Sequence, residues 1–227
     1  MDEAAVVIGA SGGIGGAMAQ RLQAIGRYAV VHALSRSTGL DLEDEGSIAA
    51  AAARIAAGPV PTLVFVGTGV LHHGHEPERS YRTLTPEHLM RDYRVNAVGP
   101  ALVAKHLLPL FARNRRGVFA ALSARVGSIG DNRLGGWHSY RASKAALNMI
   151  LRNLAIELAR THRSTVVCGL HPGTVDTGLS APFQKGVSAE RLFTADHSAE
   201  RLLAVIDGLA PADSGGVFAW DGARIPE

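Results

Sequence analysis

The turn Gly9-Ala-Ser-Gly-Gly13-Ile-Gly15 joins a short apolar run to a helical pattern, and no other feature restricts the fold of this chain as much. Glycines at such a turn let the backbone leave a strand sharply. They also let an anion approach the N–H groups that open the following helix. Gly9, Ser11, Gly13, Ile14 and Gly15 are therefore the expected contacts to a dinucleotide phosphate. A glycine-rich turn alone is a common strand-to-helix connection. Its place after the first strand of a repeating strand–helix chain is what gives it meaning.

That repetition runs through all 227 residues. Strands are predicted over Ala4–Gly9, Tyr28–Leu34, Thr62–Val66, Gly117–Ser123, Thr165–Leu170 and Gly216–Trp220. Helices are predicted over Gly13–Ile25, Ser47–Ala57, Pro86–Arg113, Ser139–Arg160 and Ser198–Leu209, with a kink at Gly99-Pro100. Such alternation builds parallel sheets covered on both faces. The chain is expected to form a single doubly wound α/β domain over residues 1–227, with a mainly parallel sheet of six to seven strands and a shortened third-strand region. The stretch from His171 to Thr194 has no period and is expected to be a long functional loop.

Composition excludes several classes. Net charge is +3 and no basic run exceeds Arg115-Arg116, which argues against a nucleic-acid groove. No apolar run is long enough to span a membrane, and no leader pattern is visible. The single cysteine, Cys168, sits in an apolar run and reads as a buried small hydrophobe; with no internal disulfide to form, a cytoplasmic location is expected. His72-His73-Gly-His75 reads as a solvated loop, and no metal is expected.

Tyr140 and Lys144 stand one helical turn apart, so a phenol and an ammonium can face one cleft. A nearby positive charge stabilises the phenolate, which fits proton transfer at a carbonyl oxygen. The second strand ends Ser35-Arg36-Ser37 with no carboxylate before Asp41, which favours NADP(H) over NAD(H) through Arg36.

The glycine spacing and the Tyr140/Lys144 pair together resemble the short-chain dehydrogenase/reductase family, in particular its sniffer and C-factor-like carbonyl reductases. Val126-Gly-Ser-Ile129, Gly135-Gly-Trp137 and Ser139-Tyr-Arg-Ala-Ser-Lys-Ala-Ala-Leu-Asn148 carry the likeness to that branch. The resemblance implies an oxidoreductase that reduces a small aldehyde or ketone, or oxidises an alcohol, commonly as a homodimer or homotetramer. It implies that Asn96 orders a water linked to Lys144 and that Asp41 meets the adenine ring. Gly67, Thr68 and Gly69 stand where the family has Asn-Asn-Ala-Gly, with both asparagines replaced. Pro172, Gly173, Thr174, Val175 and Thr177 match a segment that approaches nicotinamide and phosphate. The family's carbonyl-binding serine is commonly the second of a pair at a strand end. Here that position is Ala124, after Ser123, and Ser128 in the following loop is the expected substitute. The altered serine and asparagines leave open a second class, a cofactor-binding signalling or redox-sensing protein with little turnover.

Overall fold

The computed structural model describes residues 2–72, 74, 76–185 and 188–227. Its elements are β1 (Glu3–Ile8), α1 (Gly13–Ile25), β2 (Val30–Leu34), α2 (Glu45–Ala56), β3 (Val60–Val66), α3 (Pro86–Tyr93), α4 (Gly99–Leu107), β4 (Gly117–Leu122), α5 (His138–Leu158), β5 (Thr165–His171), β6 (Thr174–Val175), β7 (Leu192–Phe193), α6 (Ala195–Gly208), β8 (Val217–Ala219) and β9 (Arg224–Ile225). Seven strands form one sheet in the order β2-β1-β3-β4-β5-β8-β9, parallel except for the final hairpin partner β9. The sheet ends at β2, with no strand beyond it among the described residues.

The strands read as continuous apolar runs because both faces of the sheet are covered. Alternate residues divide between two cores. Val6, Val64, Phe119 and Val167 pack under α2, α4 and α5, whereas Val7, Phe65, Val118 and Cys168 pack under α1 and α6. Cys168 is buried, and burial pushes its thiol up to about 12, so it serves as a small hydrophobe.

Two boundaries differ from expectation. The helix predicted over Pro86–Arg113 has its expected kink before Pro100, a π-helical turn at Arg94–Val98 between α3 and α4, but it ends before Pro109. Pro100 causes the break, because it has no N–H to offer the carbonyl of Asn96 four residues earlier. The 171–194 stretch is not structureless; β6 and β7 pair in parallel within it. The Arg116 guanidinium donates to the Ile206 and Leu209 carbonyls at 2.7 and 3.0 Å, at the C-terminal end of α6.

Candidate active site

The glycine turn occupies the top of β1, where the chain must pass itself closely. A Cβ at Gly15 would lie 2.2 Å from the Gly9 carbonyl oxygen, so only glycine fits there. Gly9 itself holds φ at +85°. Gly9 N and Ala10 N both bond the Leu34 carbonyl, fixing the turn to the end of β2. These bonds bring Ser35 and Arg36 beside the turn.

A cleft of about 290 Å³ follows from this arrangement. Gly9, Ser11, Arg36, Asp41, Gly67, Thr68 and Gly69 line it. Gly13, Ile14 and Gly15 open α1 behind its wall. Ser35, which flanks Arg36, also lines it, and so do Leu40, Glu43, Val70, Arg91 and Val95, which were not anticipated. Arg91 and Val95 stand four residues apart ahead of Asn96, a spacing that put them on one helix face. The guanidinium groups of Arg36 and Arg91 make no hydrogen bond or salt bridge among the described residues, so both can meet an anionic ligand. The Thr68 hydroxyl is buried in the cleft wall without a hydrogen-bond partner. A glycine cradle, free cations and an orphaned hydroxyl together fit a phosphorylated dinucleotide.

The Pro172–Thr177 segment is tied to this wall. The Pro172 carbonyl accepts the Ser198 hydroxyl at 3.0 Å. A Cβ at Gly13 would come within 2.8 Å of the Thr177 methyl, so the segment lies against the turn. Gly173, Thr174 and Val175 lead from β5 through β6 toward it.

Beyond Gly69 lie Tyr140 and Lys144 on α5 and Asn96 in the π turn. Tyr140 and Lys144 are 8% and 2% exposed, and Lys144 Nζ lies 5.7 Å from the Tyr140 ring centroid. Lys144 Nζ also donates to the Leu122 carbonyl at 2.8 Å. A Cβ at Gly69 would lie 3.5 Å from both Lys144 Nζ and Asn96 Oδ1, so the two side chains converge below this glycine. Asn96 is 1% exposed and its amide is fully committed: Oδ1 accepts Val70 N–H, and Nδ2 donates to the Val70 carbonyl and Ser143 Oγ. It pins the exit of β3 to α5. Burial lowers Lys144 to about 8, against the opposing pull of Asp92. Burial, followed by the charge of Asp92, drives the Tyr140 phenol well above its ordinary range.

The serines divide clearly. Ser123 donates its only proton to Asn148 Oδ1 at 2.6 Å. Ser128 Oγ accepts the Asp131 N–H at 3.0 Å, which leaves its own proton without an acceptor among the described residues. Ala124 is packed in a small apolar cluster with Leu71 and Tyr140, bordered by Trp137, Leu179 and Phe183. Among the described residues no group of three His, Cys, Asp or Glu is placed to hold a metal; His73 and His75 lie outside them. No helix of the described residues is long and apolar enough to cross a membrane.

Comparison with known proteins follows the same lines. The family model described as short chain dehydrogenase matches residues 35–188. Over 138 residues the chain is 36% identical to the C-signal protein of Myxococcus xanthus, covering 61% of this chain and 78% of that one. The carbonyl reductase Sniffer of D. melanogaster superposes over all of both chains with a TM-score of 0.82 at 19% identity. An NADPH-bound carbonyl reductase from chicken fatty liver superposes over 100% of this chain and 99% of that one, with a TM-score of 0.77 at 25% identity.

Proposed function

Because the chain belongs to the short-chain dehydrogenase family, we propose that it is an NADP(H)-dependent reductase of a small aldehyde or ketone, running in reverse on the corresponding alcohol. The observation that carries this reading is the convergence of Lys144 and Asn96 below Gly69, with the Tyr140 ring 5.7 Å from Lys144 Nζ, beside a cleft lined by the guanidinium-bearing Arg36 and Arg91. When bound, the nicotinamide donates or accepts the hydride.

The chain's own residues handle the proton. In reduction Tyr140 gives its phenolic proton to the carbonyl oxygen. Lys144, held by the Leu122 carbonyl, places a positive charge beside the phenolate that remains. Asn96 keeps the Gly69–Val70 backbone against α5. It also orders a water that passes protons to Lys144. Ser128, whose proton is uncommitted, polarises the carbonyl in place of the missing serine at position 124. Arg36 and Arg91 hold the 2′-phosphate and favour NADP(H), and Asp41 lies toward the adenine end. Leu89, Met90, Met149 and Ile156 are exposed on α3 and α5, which supports association of two or more copies.

Oxidation of NADPH with a panel of aldehydes, ketones and quinones tests the reading. Wild type should turn over at least one class, and Tyr140→Phe should reduce kcat by about 10²-fold or more. A wild-type protein that binds NADPH yet reduces nothing in the panel would sink it.

A further inference from the structure

Asp92 is a buried acid that the reaction above does not use. It lies on α3, one helical turn before Asn96, and is 1% exposed. Its Oδ1 has no hydrogen-bond partner among the described residues. A charged carboxylate in such a place is strongly disfavoured unless charges around it compensate.

The groups facing it come from three directions. From α5 come Lys144 and Tyr140: Asn96, one turn on from Asp92, shares the space below Gly69 with Lys144 Nζ, which lies 5.7 Å from the Tyr140 ring, and the charge of Asp92 acts to raise both groups. Glu78, from the loop before α3, is anchored on α5 through Ser139 and repels Asp92. Arg91, its neighbour on α3, attracts it. His88, one turn earlier on α3, brings Nδ1 to 3.9 Å from Glu78 Oε1. Burial and then Glu78 raise the Asp92 carboxyl, while Arg91 and Lys144 oppose them, and it stands at about 7.

We propose that Asp92 is a positioning residue whose charge, acting through Lys144 and Tyr140, sets how readily the phenol gives up its proton. The inference rests on the reading of Tyr140 as the proton-transfer group. Ionised Asp92 stabilises the ammonium of Lys144 and opposes the phenolate of Tyr140. Protonated Asp92 does neither. Alcohol oxidation needs the phenolate, so the carboxylate holds that direction back at neutral pH.

Two measurements on the full chain test this. In the infrared spectrum of the free protein, a protonated-carboxyl band should titrate near neutrality, vanish in Asp92→Asn and persist in Tyr140→Phe. In Glu78→Gln the band should titrate at lower pH, because a repelling charge has gone. In the complex with NADP+, tyrosinate absorbance, taken as wild type minus Tyr140→Phe, measures the phenol without turnover. Its midpoint should fall by about one unit in Asp92→Asn, and the basic limb of kcat/KM for alcohol oxidation should move with it. A merely structural Asp92 would change stability and leave both midpoints in place. Absence of the titrating band, or an unmoved tyrosinate midpoint, overturns the proposal. A shifted midpoint without turnover of any substrate would uphold Asp92 and refute the proposed reaction. Turnover that depends on Tyr140 with no shift in Asp92→Asn would do the reverse.

Discussion

Glu78 holds the start of α5 from 61 residues away: its carboxylate accepts the Ser139 N–H at 3.1 Å and the Ser139 hydroxyl. Trp137, the residue at the helix N-cap, has positive φ and offers no side-chain cap. A distant carboxylate thus satisfies an N–H that the local sequence leaves open, next to Tyr140. Burial pushes Glu78 up, but the Ser139 hydrogen bonds and nearby His88 outweigh it and hold the carboxyl below its ordinary value.

Removing that cap should loosen the helix end that carries the phenol. Glu78→Ala is expected to cost about 2 kcal/mol in stability, the range for a hydrogen bond to a buried charge. Denaturant unfolding measures the loss. In kinetics kcat should fall more than KM rises, because Tyr140 loses its fixed position; an unchanged kcat would show that the cap does not position it.

The two serines give a direct comparison. Ser128→Ala should reduce kcat/KM for carbonyl reduction by about 10²-fold, the effect of losing one oxyanion donor. Ser123→Ala should leave kcat nearly intact and cost about 1 kcal/mol in stability through its bond to Asn148. The opposite ranking would assign the carbonyl to Ser123.

Cofactor choice depends on the cations in the cleft. Arg36→Ala and Arg91→Ala should each weaken NADPH binding about tenfold, a change of about 1.4 kcal/mol, with little effect on NADH. Fluorescence titration of both nucleotides checks the ratio. A ratio that does not move in Arg36→Ala rules out its contact with the 2′-phosphate.

Stability should respond to pH through two buried groups of opposite sign. Asp92, raised to about 7, binds its proton more tightly in the fold than in the unfolded chain. Its contribution is therefore present at low pH and is lost as pH rises toward 7. His171 is lowered to about 4 by burial and then Arg125, and its Nδ1 has no partner. Its contribution is present above the ordinary histidine value and is lost as pH falls toward 4. Asp92→Asn should raise Tm at about pH 8 by roughly 2–4 °C and not at about pH 4, whereas His171→Gln should relieve the acid-side loss alone. Calorimetry across that range separates the two.

The parts of the site legible in sequence are those fixed by local spacing. Gly9, Gly13 and Gly15 are set by one tight turn, and Tyr140 and Lys144 by one turn of helix. The break before Pro100 was legible for the same reason, since a missing N–H acts on the residue four positions back. Arg91, Glu78 and Asp92 were not legible. Glu78 and Asp92 are buried where α3 and the loop before it meet α5, and Arg91 reaches the cleft from the exposed side of α3; a charged residue gives no local sign of which tertiary surface it will face.

By itself, the sequence determined the doubly wound sheet, because two-sided burial and the strand–helix alternation leave few other ways to hide the apolar runs. It also determined which helix carries the phenol and the ammonium. Only the tertiary structure decided which serine keeps a free proton, which carboxylate caps α5, and that Asp92 lies buried within electrostatic reach of Tyr140 and Lys144. Those outcomes depend on which groups meet across space in a low-dielectric interior, where hydrogen-bond partners and buried charge are set by packing rather than by neighbours along the chain.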